Sequence, residues 1–67
     1  MMIKLNDEPR SVAESVTLLE LLRELALAER RGIAVALNDS VVPRSGWAGR
    51  VLNENDRLLV IHASQGG

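Results

Sequence analysis

A single amphipathic helix, beginning at Thr17, limits what this chain can become. Thr17 and Glu20 stand at capping-box spacing, so each satisfies a backbone donor that the first helical turn leaves orphaned. Val16 before the cap and Leu21 beyond it are placed for a hydrophobic staple. Leu18, Leu21, Leu22 and Leu25 recur at i, i+3, i+4 and i+7, which makes one apolar stripe. Glu20, Arg23, Glu24 and Glu29 mostly lie off it. Arg30 and Arg31 are expected in the last turn, where the helix dipole favours cations, and Gly32 is the expected stop. Four leucines could also form a dimer seam, but the stripe is short for that and reads better as core.

Strand patterns flank the helix. Met1, Ile3 and Leu5 alternate with Met2, Lys4 and Asn6, the period of a strand with one buried face. Asn6-Asp7-Glu8-Pro9 reads as a turn, and Arg10 to Ala13 as the return of a hairpin. Ile33 to Leu37 is a continuous apolar run, expected as a buried central strand. Asn38-Asp39-Ser40 is a turn. Val41-Val42 is a short strand that Pro43, lacking a donor, must end. Arg44 to Gly49 reads as irregular chain or one short helical turn, followed by a short apolar piece, Val51-Leu52. Asn53 to Asp56 is a turn, and a last strand runs from Arg57 to about Ala63. A lone helix between the second and third strands must lie across one face of a mixed sheet. The fold class is therefore α+β, a ubiquitin-like roll with four or five strands. Its first and last strands can pair in parallel at the centre. Residues 1–62 form the domain, and residues 63–67 are expected as a flexible tail ending in Gly-Gly.

Sixty-seven residues make one small domain, burying roughly 60% of the surface its unfolded chain would expose. There is no cysteine, hence no disulfide, thiolate nucleophile or Cys-based zinc site. Eight basic and nine acidic residues leave a net charge of −1, which argues against nucleic acid or an anionic membrane as partner. No apolar run reaches transmembrane length, and the first residues lack the pattern of a signal peptide. A cytoplasmic location is expected. Trp47 is the lone aromatic residue, so Leu, Val, Ile and Ala must build the core.

Chemistry concentrates at the end of the chain. If Leu58 and Val60 face the helix, Leu59 and Ile61 face outward on a sheet face that no helix covers. These two, with Met2 as a candidate neighbour, are expected to form an apolar docking patch; isolated surface residues are the alternative. Ala63 to Gly67 can extend by roughly 16–18 Å. Gly66 and Gly67 lack Cβ, so their backbone can pass a constriction. The carboxylate of Gly67, ionised at neutral pH, can attack the α-phosphate of a nucleotide held by another protein. A sulfur nucleophile can then displace the adenylate and leave a thiocarboxylate. The ordinary alternative is a frayed terminus. Signatures of an enzyme are missing: His62 is the sole histidine, no serine lies in a nucleophile elbow, and no metal-ligand spacing or phosphate loop occurs. Asp39, Glu54 and Asp56 read as turn residues.

Asn38-Asp39-Ser40-Val41-Val42-Pro43-Arg44-Ser45-Gly46-Trp47, then Leu52, Asp56 and a terminal Gly66-Gly67, resemble the ThiS family of thiamine-pathway sulfur carriers. The specific parts are V-P-R-x-x-W and the final Gly-Gly. The resemblance spans the whole chain. It implies a β-grasp fold and a protein that is not itself an enzyme and binds no cofactor. An E1-like adenylating enzyme of the ThiF type would use ATP to activate Gly67. A sulfur donor protein would supply the sulfur, and a thiazole synthase of the ThiG type would receive it. Gly66 and Gln65 would take part in tail recognition. Two departures stand out: Asn55 replaces the family's usual Gly, in a turn that Asn tolerates, and Ser64-Gln65 replaces a more apolar approach. Trp47 reads as a structural plug, whereas Arg44 fits either a partner contact or a local one. Alternatives are another β-grasp sulfur carrier, such as the small subunit of molybdopterin synthase, or a ubiquitin-like or RNA-binding module that only docks. The V-P-R-x-x-W segment favours the first family, and the near-neutral charge disfavours RNA.

Overall fold

The computed structural model describes residues 1–62. β1 (Met2–Leu5) and β2 (Glu8–Ser11) precede α1 (Leu18–Glu24), and β3 (Ile33–Leu37) and β4 (Ser40–Val41) follow it. A 3-10 turn at Arg44–Gly46 leads on to β5 (Arg57–His62). The five strands form one sheet in the order β2-β1-β5-β3-β4. β5 runs parallel to β1, with Lys4 opposite Arg57 and Leu5 opposite Leu58. It runs antiparallel to β3, from Ile33 opposite His62 to Leu37 opposite Leu58. The expected α+β roll is thus present, with its first and last strands parallel at the middle.

Both hairpins close on the same dipeptide. Asn6 and Asp7 take φ of 49° and 70°, and Asn38 and Asp39 take 50° and 72°. Two consecutive left-handed residues make the turn whose twist matches paired strands. The first turn is therefore tighter than the expected Asn6-to-Pro9 cluster, and Glu8 and Pro9 belong to β2. Pro9 is tolerated there because β2 is an edge strand.

The helix starts as its sequence dictates. The Thr17 hydroxyl accepts from the Glu20 N–H at 3.1 Å, and Glu20 Oε1 accepts from the Thr17 N–H at 2.8 Å. The Thr17 N–H, and after it the Thr17 hydroxyl, which donates to the same Oε1 at 3.1 Å, hold the Glu20 carboxyl below its ordinary pKa. The end is different. α1 stops at Glu24, about two turns before Gly32, and Arg30 and Arg31 lie outside it. Ala26, at φ 60°, takes the left-handed position after the cap. The Leu27 N–H then donates to Leu22 O at 2.8 Å, and the Ala26 N–H to Arg23 O at 3.0 Å. That is a Schellman stop with alanine where glycine is usual. Gly32, at φ 74°, instead turns the chain into β3.

The core lies between α1 and one face of the sheet. Leu18, Leu21 and Leu22 are fully buried and share a cluster with Ile3, Val35, Leu37, Leu58 and Val60. β3 corrects an expectation. It is interior to the sheet, but only Val35 and Leu37 are buried, while Ala34 is exposed and Ala36 half-buried. With one helix present, one face alone is covered. Ahead of α1, an isolated bridge joins Thr17 to Val51, and Leu52 is buried beside it.

Ala26 is exposed and holds a conformation that costs an L-residue about 1–2 kcal/mol. Ala26→Gly should stabilise the domain by about 1 kcal/mol, the gain partly offset by a freer unfolded chain. A urea denaturation midpoint that falls would show that the stop depends on alanine's side chain instead.

Candidate functional site

β5 alternates from Arg57 to Ile61. Leu58 and Val60 are buried against the helix, while Leu59 and Ile61 stand 46% and 51% exposed on the opposite face. Register supplies their neighbours: Ala36 lies opposite Leu59, and Ala34 opposite Ile61. Val41, opposite Ala36 on β4, is 76% exposed. The outward face thus carries two large aliphatic side chains beside two alanines, bordered by a valine. Ala34, Ala36 and Val41 are members that sequence reasoning missed. The alternation of small and large residues in Ile33-Ala34-Val35-Ala36-Leu37 was the available signal.

Met2 is exposed on the same face but does not join this group. The parallel register sets it beside the turn before β5, where its carbonyl accepts from the Asn55 N–H at 2.8 Å. It lies about six residues along β5 from Ile61, or roughly 20 Å at strand rise. Lys4 and Arg57 occupy that end of the face, and Arg57 pairs with Asp39 at 2.9 Å. The face is therefore apolar toward the end of β5 and charged toward its start.

The start of β5 is tied down by side chains. Asn38 Oδ1 accepts from the Arg57 N–H at 2.9 Å, and Asn38 Nδ2 donates to Asp56 Oδ1 at 3.0 Å. Asp56 Oδ2 accepts from the Asn53 N–H at 2.7 Å. Asp56 is thus a buried turn carboxylate with a donor on each oxygen, and a turn residue as its position in the sequence suggested. Asn55, at φ 69°, holds the left-handed turn position without strain unusual for asparagine. His62 is an exposed strand residue opposite Ile33. Among the described residues, no group of three or more His, Cys, Asp or Glu side chains could hold a metal ion.

The Val42-Pro43-Arg44…Trp47 segment is a structural clasp. Trp47 is 1% exposed, and its Nε1 donates to Val42 O at 3.0 Å. The Arg44 guanidinium lies 4.5 Å from the indole centroid. It donates to the carbonyls of Ala28 and Arg30, the latter at 2.7 Å. Arg44 therefore satisfies the loop after α1 and stacks on the indole that plugs the core. Of the two readings open on sequence grounds, the local contact is made. Gln65, Gly66 and Gly67 lie outside the described residues, as does the expected tail, residues 63–67.

One helix clasped by a five-stranded mixed sheet, with its first and last strands parallel at the middle, defines a β-grasp protein. The chain belongs to the ThiS family, whose sequence model matches residues 3–67. It is 34% identical over 67 residues to the sulfur carrier protein ThiS of Escherichia coli, covering 100% of both chains. It is 39% identical to a thiazole synthase of Magnetococcus marinus, of which it spans 20%. The crystal structure of a thiamine biosynthesis protein (ThiS) from Geobacter metallireducens superposes with a TM-score of 0.85, at 29% identity and 100% coverage of both chains. A solution structure of a thiamine biosynthesis protein from the same organism gives 0.81, with 100% of this chain and 88% of that one covered.

Trp47→Ala should cost about 3–5 kcal/mol, the range for deleting a buried large aromatic. Chemical denaturation reads it directly, and an unchanged midpoint would contradict the plug.

Proposed function

We propose that the chain is a sulfur carrier for thiamine biosynthesis and that Gly67 bears the sulfur. A family match that runs through the final Gly66-Gly67 carries this reading. It is supported by a central strand that leads into those residues with Leu59 and Ile61 displayed on its open face.

The chemistry proceeds in two displacements. A carboxylate oxygen of Gly67 attacks the α-phosphorus of ATP held by an E1-like partner of the ThiF type. The acyl–phosphate bond forms and pyrophosphate leaves. A hydrosulfide equivalent from a sulfur donor protein then attacks the acyl carbon. The carbon–oxygen bond to phosphate breaks, AMP departs, and a thiocarboxylate remains. A thiazole synthase of the ThiG type accepts the sulfur. Similarity to curated thiazole synthases, of which this chain spans a fifth, supports that pairing. The carrier supplies the reacting group, and its partners supply ATP binding and catalysis. Gly66 and Gln65 take part in tail recognition: Gly66 lets the backbone pass a narrow channel, and Gln65 precedes it. Leu59 and Ile61 dock the body of the domain. This work belongs in the cytoplasm. No helix among the described residues is long and apolar enough to cross a membrane.

Deletion of Gly67 should abolish thiocarboxylate formation and leave the denaturation midpoint unchanged, because Val60 is the last buried residue among those described. Intact-protein mass spectrometry after incubation with ATP, a sulfur source and the adenylating partner reads the exchange of one oxygen for sulfur. A truncated chain that still acquires sulfur would remove the proposal.

Leu59→Asp and Ile61→Asp should weaken binding to the adenylating enzyme, each by about tenfold or more, with little loss of stability. Equal affinities by calorimetry would place docking elsewhere.

A further inference from the structure

β5 has two strand neighbours, but they accompany it over different lengths. β3 pairs with it as far as His62. β1 stops at Leu5 opposite Leu58, because the chain turns back at Asn6-Asp7. Alternate residues of β5 offer their backbone groups to the β1 side. The carbonyls of Asp56 and Leu58 accept from the N–H groups of Lys4 and Asn6, at 2.9 Å and 2.8 Å. Val60 is next in that series, and no strand is left to meet it. The Asn6 side chain meets it instead. Its Oδ1 accepts from the Val60 N–H at 2.8 Å, and its Nδ2 donates to Val60 O at 3.4 Å. One amide stands in for one residue of β1.

We propose that Asn6 is a positioning residue for the chemistry of the terminus. It holds Val60 on the side that β1 leaves open, and with that the setting of Leu59 and Ile61 in the last residues of β5. This role rests on the carrier reading above. A partner that grips Leu59 and Ile61 meets them in a fixed setting only while Val60 between them is held on both sides. Each residue released from the sheet must be ordered again on docking, which lowers the frequency of productive approach.

Asn6→Gly separates the amide from the turn, since glycine accepts the left-handed φ of 49° and lacks the clamp. Amide hydrogen exchange on the full chain should accelerate at Val60 by roughly tenfold relative to Val35. The kcat/KM for adenylation of the carrier by its partner should fall about three- to tenfold. Thr17→Ala, which weakens the domain through the helix cap, should leave kcat/KM unchanged. Exchange at Val60 equal to wild type would overturn the clamp. Faster exchange with unchanged kcat/KM would overturn the positioning role and leave Asn6 a structural residue. A wild-type chain that the partner never adenylates would overturn the carrier reading and this role with it.

Discussion

The parallel pairing of β1 with β5 is the constraint on which the remainder of the structure depends. Parallel neighbours cannot be joined by a tight turn, so the chain between them must cross over. Here α1 makes the crossing and lies on one face of the sheet, with Leu18, Leu21 and Leu22 buried there. A chain of this size has a single such helix to spend. The other face stays open, and every second residue of β5 and β3 is presented on it. The same pairing places the last strand in the sheet's middle. Yet the pairing spans only two register pairs. So short a parallel contact needs reinforcement, and side chains provide it.

That reinforcement comes from one dipeptide used twice. Asn6-Asp7 and Asn38-Asp39 each form a two-residue turn, and each asparagine also reaches β5. Asn38 holds Arg57 from the β3 side, and Asn6 holds Val60 from the β1 side. A left-handed turn position selects asparagine over most residues. Glycine would serve the turn equally well, but it could not span the gap to β5. The turns were legible in the sequence because their chemistry is local. The second job was not, since Asn6 and Val60 lie 54 residues apart.

The same division separates what else could be read from what could not. The helix start was legible because Thr17 and Glu20 satisfy each other's backbone within one turn. Its end was not, because the expected signal, glycine, is absent from the actual stop. Leu27 favours the stop because its N–H reaches back to Leu22 O while its side chain packs against the core, and Ala26 accepts the strained φ. β5 was read correctly because an all-apolar strand under one helix must expose alternate residues. The same argument applied to β3, but its outward residues are alanines, which look equally at home inside or out. Arg44 could not be assigned from sequence, because its acceptors are carbonyls of the loop after α1, and a carbonyl leaves no mark in the residue code.

Ala34 and Ala36 have a consequence for docking. Opposite small residues, Leu59 and Ile61 rise as a short ridge above low ground instead of merging into a broad apolar plain. A ridge of two side chains offers a partner's groove an anchor while burying far less than the area of a stable complex. For the proposed carrier that economy is useful. In the proposal its adenylating and sulfur-accepting partners share one face, so each must release the domain before the other can engage. Tight binding at the ridge would stall the cycle, since affinity among related complexes is set mainly by the dissociation rate. In the proposal, discrimination is then placed at the terminus, since a channel too narrow for a side chain admits Gly66 and Gly67. A weak anchor and a selective channel together tolerate a small patch, but they require that the distance between the two be held constant.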